Sequence, residues 1–172
     1  MNKKLHIGCG KDIKEGYVNL DKLKLPGVDV VQDLDKFPYP FKENTFEEVY
    51  TSHTLEHVKD LIATMQELHR IAKPHARIVI RVPHFSCGTN YRDPTHLRYF
   101  SYFTFDFFTT DSFYRLPTFK VINKELNFTR TVAPWLNQFI NPLLNAAPGI
   151  YERFFCWIFP ASEVLVELEV VK

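Results

Sequence analysis

The sequence predicts an α/β domain built on a mostly parallel sheet, and three observations predict it. Apolar and β-branched runs recur at residues 4–9, 17–20, 28–34, 46–51 and 77–82, each bounded by Gly, Pro, Asp or Asn. Several of them, such as Ile78-Val79-Ile80-Arg81-Val82, are apolar on both alternating faces, which suits strands covered by helices on both sides. Between the fourth and fifth runs, residues 55–72 carry Leu61, Met65, Leu68 and Ile71 at helical spacing, and Pro74 ends that crossover helix. With 172 residues, 45% of them hydrophobic, the chain can bury one core, and it reads as a single domain over residues 1–172.

Taken in order, the first strand runs into a glycine pair, Leu5-His6-Ile7-Gly8-Cys9-Gly10, and the second closes on an acid, Tyr17-Val18-Asn19-Leu20-Asp21. A glycine turn lets a ligand lie against bare backbone, and a carboxylate at the next strand end can accept hydrogen bonds from a ribose diol. The spacing departs from the dinucleotide fingerprint, because Ile13 stands where a third glycine belongs and Asp21 comes far too early. Only residues 11–16 join the first two strands, where a parallel crossover usually takes a dozen or more, so the first helix is expected to shrink to a turn. Residues 22–27 join the next pair, and this edge of the sheet is therefore expected to be trimmed and partly uncovered.

After Pro83 comes an aromatic stretch, residues 84–114, expected to begin as loop and to end in a helix over residues 104–110. Residues 119–128 and 164–171 are expected to complete the sheet as an antiparallel pair. Between them lies a charge-poor insertion, residues 131–162, whose only charged residues are Glu152 and Arg153. Pro142, Pro148 and several asparagines interrupt any membrane-spanning run there. Trp135, Phe139, Phe154, Phe155, Trp157 and Phe159 suit packing that lines part of an acceptor pocket, a peripheral membrane contact, or a homodimer face.

A net charge of +1, from 21 basic and 20 acidic residues, gives no general attraction to nucleic acid. Three widely spaced cysteines fit a reducing, cytoplasmic setting better than a disulfide framework, and the N-terminus lacks the apolar core of a signal peptide.

In their order along the chain, the motifs Leu5-His6-Ile7-Gly8-Cys9-Gly10, Asn19-Leu20-Asp21, Gln32-Asp33-Leu34, Ser52-His53-Thr54-Leu55-Glu56-His57-Val58 and Glu67-Leu68-His69-Arg70-Ile71-Ala72-Lys73-Pro74 resemble the class I methyltransferases that use S-adenosylmethionine, in particular the small type 11 branch. The resemblance covers nearly the whole chain. It implies a Rossmann-like sheet, S-adenosylmethionine as cofactor, and methyl transfer to an oxygen or nitrogen of a small-molecule or lipid-linked acceptor. It assigns Gly8, Cys9 and Gly10 to the amino-acid part of the cofactor, Asp21 to the ribose, Asp33 with Leu34 to the adenine border, and His53 to the methionine portion. Trimmed members of that branch shorten the first crossover, which accounts for the early acid.

Two other patterns bear on chemistry. His53-Thr54-Leu55-Glu56-His57 has the H-x-x-E-H spacing of inverted zinc peptidases, but no third ligand stands out, so a zinc hydrolase is the remote alternative and no metal is expected. Glu56 and His57 are read instead as capping and packing that turn. Beyond the fifth strand, His96 is the first candidate general base and His84 the second, with Asp93 to orient the imidazole. Arg92 and Arg98, with Tyr91 beside them, are the candidate acceptor-binding residues. The sequence Asp93-Pro94-Thr95-His96 reads equally as a turn that satisfies itself. The alternative from another class is a methyltransferase-like binding module without catalysis.

Overall fold

The computed structural model describes residues 3–109 and 116–172. Among the described residues, seven strands form one sheet: β1 (Lys4–Ile7), β2 (Tyr17–Asp21), β3 (Val30–Val31), β4 (Phe46–Ser52), β5 (Ala72–Pro83), β6 (Phe119–Asn127) and β7 (Glu163–Val170). Their spatial order is β3-β2-β1-β4-β5-β7-β6. The first five run parallel, and β7 slots between β5 and β6, antiparallel to both. The order reverses at β1 and β4, the place where open α/β sheets bind ligands beyond their carboxyl ends.

The central strands are buried on one face and only partly covered on the other, where Glu48, Tyr50, Arg77 and Arg81 stay half-exposed or exposed, so the cover expected on both sides is not met at these strands. In β5, Ile78, Ile80 and Val82 are fully buried, and Val79, which points the other way, is also buried. Helix α1 (Leu61–Ile71) buries Leu61, Thr64, Met65, Leu68 and Ile71 at the expected spacing. Each large apolar side chain so buried contributes roughly 1.5–3 kcal/mol. The helix is shorter than the 55–72 expected. Residues 55–57 form a separate 3₁₀ turn, Asp60 caps α1 by accepting from Ala63 N at 2.9 Å, and the chain is already extended at Ala72. Pro74 does not stop α1 but lies inside β5, in a bulge where residues 73–76 stand opposite the single residue Glu47. A bulge is where a strand tolerates a residue without an N–H.

The trimmed edge is present, and side chains explain it. No helix joins β1 to β2; Asp12 N donates to Cys9 O at 2.8 Å, and the Asn19 side chain clasps both backbone groups of Lys14, at 2.9 and 3.1 Å. Ile13, in place of the fingerprint's third glycine, packs on Gly27 so closely that a Cβ there would lie 2.8 Å from Ile13 Cγ1. Strand β3 keeps two residues of the seven expected. Backbone bonds to β2 continue on both flanks, from Asp29 N to Asn19 O at 2.8 Å and from Gln32 N to Asp21 O at 2.9 Å, but the Asp29 carboxylate takes Asn19 N at 2.7 Å and Asp33 turns the chain by accepting from Asp35 N at 3.1 Å.

The aromatic stretch ends in a 3₁₀ turn, Thr104–Phe108, rather than a helix to residue 110; residues 110–115 lie outside the described residues. Phe100, Phe105 and Phe108 enter the core. Residues 131–162 form α2 (Asn137–Ala146) and a π-type turn at Tyr151–Phe155 between β6 and β7. Among the described residues, no helix is long and apolar enough to cross a membrane.

Candidate active site

A cavity of about 340 Å³ opens at the carboxyl ends of β1, β2 and β4, lined by Gly8, Gly10, Asp21, Asp33, Leu34, His53 and Thr54 among others. Each arrives from a strand end or the turn after it. Gly8 and Gly10 have φ of +63° and +51°, a region that only glycine enters without cost. Gly8 lies against Thr54, whose hydroxyl donates to Gly8 O at 3.3 Å, so the glycine turn is clamped to the end of β4. Nothing stands within 4 Å of where a Gly10 Cβ would be, so that backbone faces open space.

Asp21 is fixed by two backbone donors: Gly10 N donates to Oδ2 at 2.8 Å and Leu23 N to Oδ1 at 2.9 Å. A carboxylate offers about four acceptor positions, so the same oxygens can still receive two hydroxyls. Asp33 is partly exposed and turns its own loop, while Leu34 is buried and Asp35 accepts from Lys59 N at 2.7 Å.

His53 follows β4 with φ of +52°, a strained conformation for a non-glycine residue. Its surroundings hold it there. His53 N donates to Arg81 O at 2.8 Å, Nε2 lies 3.1 Å from Glu163 Oε2, and Nδ1 lies 3.4 Å from Glu56 Oε1. Burial opposes protonation of this imidazole, yet Glu163 and Glu56 outweigh it and raise the pKa above 6.5. For Glu163, burial is likewise outweighed, by His53 and Arg81, and its pKa is lowered below 4.5. The stability His53 supplies is therefore complete below pH 6.5 and lost as pH rises through its raised pKa. That of Glu163 is complete above pH 4.5 and lost as pH falls through its lowered one. Both contributions are whole between 4.5 and 6.5. In an NMR titration, His53 is expected to titrate above 6.5 and to move down in Glu163→Gln; an unchanged midpoint would refute the pairing.

A second, more polar pocket shares His53 and His57 with the first and adds Glu56, Arg92, Asp93, His96 and Arg130. His96 Nε2 lies 3.7 Å from Asp93 Oδ2. Asp93 also accepts from Thr95 N at 2.9 Å and Thr95 Oγ1 at 2.6 Å, so the self-satisfying turn and the orienting carboxylate are the same residue. These bonds, with the nearby His96 and His57, hold its carboxyl below the usual range.

Other expected site residues lie elsewhere. His84 is fully buried, with Nδ1 2.7 Å from Ser86 Oγ and Nε2 3.2 Å from Glu152, and it lines neither pocket. Glu152 also accepts from Ser101 Oγ and Tyr102 N, so His84 ties β5 to the aromatic stretch and to the 131–162 segment. Arg98 spends its guanidinium on the carbonyls of Val58 and Lys59. Tyr91 is exposed and stacks on Tyr99, and Cys9 is buried behind the glycine turn, its thiol pushed by burial to a pKa of about 11. Glu56 caps nothing; it is fully buried. Glu163, Thr54 and Arg130 escaped the sequence reading; Glu163 is one of three glutamates in β7, with Glu167 and Glu169, so its charge alone did not single it out.

The reversed sheet, the glycine turn and the strand-end acids define an α/β protein with a nucleoside-cofactor cleft. The model of a methyltransferase domain family matches residues 3–132, and the chain belongs to that family. The fold is the class I methyltransferase sheet. An S-adenosylmethionine-dependent methyltransferase from Archaeoglobus fulgidus superposes with a TM-score of 0.62 at 20% identity, covering 96% of this chain and 85% of its own. One from Mesorhizobium loti gives 0.58 at 14%, covering 97% and 90%. The [4+2]-cyclase SpnF also gives 0.58 at 14%, covering 98% and 74%. The comparison with curated proteins found no match.

Proposed function

We propose that this chain, as one domain over residues 1–172, binds S-adenosylmethionine and transfers its methyl group to an oxygen or nitrogen of a small-molecule or lipid-linked acceptor. The observation that carries the reading is the cavity that joins the glycine turn, Asp21, Asp33 and His53 at the switch point of the sheet. The residues fit the cofactor: Asp21 keeps free acceptor positions for a ribose diol, and the bare Gly10 backbone leaves room beside them. When bound, S-adenosylmethionine supplies an electrophilic methyl group on a sulfonium that departs as a neutral thioether.

The chain's own work is mainly placement, which can contribute about 7–11 kcal/mol to such a displacement. His96 takes the acceptor's proton, with Asp93 orienting its ring, for about 100- to 10,000-fold. Arg92 and Arg130 line the same pocket and favour an anionic acceptor. Burial and its partners leave His84 a structural role.

An apolar hollow of about 340 Å³, bordered by Ile140, Leu143, Ile150, Phe155 and Phe159, supports an acceptor with a lipid portion. Exposed Trp135, Phe139 and Trp157 support peripheral contact with a membrane or a second copy of the chain. The balanced charge and free cysteines support a cytoplasmic protein that does not bind nucleic acid.

Calorimetry with S-adenosylmethionine and S-adenosylhomocysteine tests the reading. Both are expected to bind at one site per chain, and failure of both to bind folded protein would overturn it. The edge left bare by the missing first crossover helix favours one second reading, a binding module. Cofactor binding with no methyl transfer to any acceptor would select it.

A further inference from the structure

Glu56, the residue at the floor of the polar pocket, is in an unusual state. Its side chain is fully buried, and among the described residues neither carboxylate oxygen has a hydrogen-bond partner; the nearest cation is His53, 3.4 Å away. A buried carboxylate without hydrogen bonds is costly, and such groups commonly pair with a cation or ligate a metal. Two imidazoles stand beside it. One ligating atom each from Glu56, His57 and His96 lies within 4.8 Å of the others. The geometry points to a binding site for a divalent transition metal ion at Glu56, His57 and His96, with its remaining positions open to the pocket that adjoins the cofactor cleft.

The donor chemistry fits. Two imidazoles and a carboxylate form a familiar ligand set for zinc and ferrous ions, and three protein ligands leave a position free. The orientation of both rings fits as well. His57 holds its Nδ1 3.2 Å from Thr95 O and 3.0 Å from Thr95 Oγ1, which leaves Nε2 free among the described residues. His96 turns Nε2 toward Asp93 and has a buried Nδ1 without a partner. Ligating histidines usually engage the second nitrogen in this way with a carbonyl or carboxylate, which fixes the tautomer. The rings meet edge to face at 4.8 Å between centroids.

The site is not the inverted-peptidase arrangement that the H-x-x-E-H spacing suggested. His53 sits at positive φ outside the 3₁₀ turn and pairs with Glu163, and His96, 39 residues after His57 in sequence, replaces it. With a cation bound, His96 no longer has a lone pair to act as general base, and the cation takes over that role by lowering the pKa of an acceptor hydroxyl; this consequence rests on the methyl-transfer reading, while the binding of the cation does not.

The test uses untagged full-length protein stripped with a chelator, titrated with Zn²⁺ by calorimetry and with Co²⁺ by visible absorption. One equivalent of Zn²⁺ is expected, with cobalt d–d bands of a four- or five-coordinate site. His96→Ala and Glu56→Gln are each expected to weaken Zn²⁺ binding by about 100-fold and to abolish the bands, with circular dichroism unchanged. Because Glu56 is buried, His57→Ala provides a third variant that leaves the core intact. Absence of a stoichiometric site in the folded protein, or equal affinity in the histidine variants, would overturn the proposal. S-adenosylmethionine binding by the stripped protein is measured alongside, so failure of the metal site and failure of the cofactor site are read separately.

Discussion

Gly8→Ala is expected to destabilise the fold by about 2–5 kcal/mol, the sum of a left-handed backbone at a residue with a Cβ and overpacking of a tight contact. A Cβ at Gly8 would lie 2.7 Å from Thr54 Cβ and overlap the rest of that side chain, in a place where φ is +63°. Thr54 cannot withdraw easily, because it is buried and its one hydroxyl proton is shared between Gly8 O and Ser52 O, at 3.3 and 3.2 Å. Gly10→Ala is the control. Its φ is also positive, but the space beyond it is empty, so only the backbone cost of about 1–2 kcal/mol applies, and the new methyl intrudes on the cavity instead. Urea unfolding of the two variants would separate them: Gly8→Ala should lose much more stability, and Gly10→Ala should lose cofactor affinity. Equal midpoints would show that the glycine turn is not clamped to β4.

Asp21→Ala should weaken S-adenosylmethionine binding by about 10- to 100-fold, since charge-assisted hydrogen bonds are commonly worth about 1.5–3 kcal/mol each. The effect on folding should be smaller. Asp21 accepts from Gly10 N and Leu23 N, but Leu23 is exposed and Gly10 only partly buried, so water can take over both donors. Calorimetry on a variant whose melting temperature is close to that of the parent isolates the binding term. Unchanged affinity would remove Asp21 from the ribose role.

Much of this was legible in the sequence because it depends on local rules. Periodicity revealed the strands and α1, and the short connections at residues 11–16 and 22–27 revealed the trimmed edge. The glycine turn and the strand-end acids were readable because backbone freedom and charge at strand ends have few other uses. Less legible were features that depend on contacts between distant segments. Regular pairing of β3 stops where the Asp29 carboxylate takes Asn19 N and the Asp33 carboxylate turns the chain, bonds that no β-propensity records. His84 and His96 looked alike as histidines among aromatics. Glu152, 68 residues away, claims one of them, while the other reaches the pocket. Glu163 was invisible as a partner of His53 because 110 residues separate them.

The position of β7 has a consequence for how the chain acquires its structure. Since β7 fills the slot between β5 and β6, β6 has no neighbour in the sheet until residues 163–170 have been synthesised. During translation, β1 to β5 can assemble first, while β5 presents a long unpaired edge whose natural partner is still inside the ribosome. Closing that edge joins residues 77–83 to residues 163–169, a contact of high sequence separation, and is expected to be the slow step of folding. The buried side chains of Val164, Val166 and Leu168 then act as a keystone, completing two halves of a sheet in one insertion.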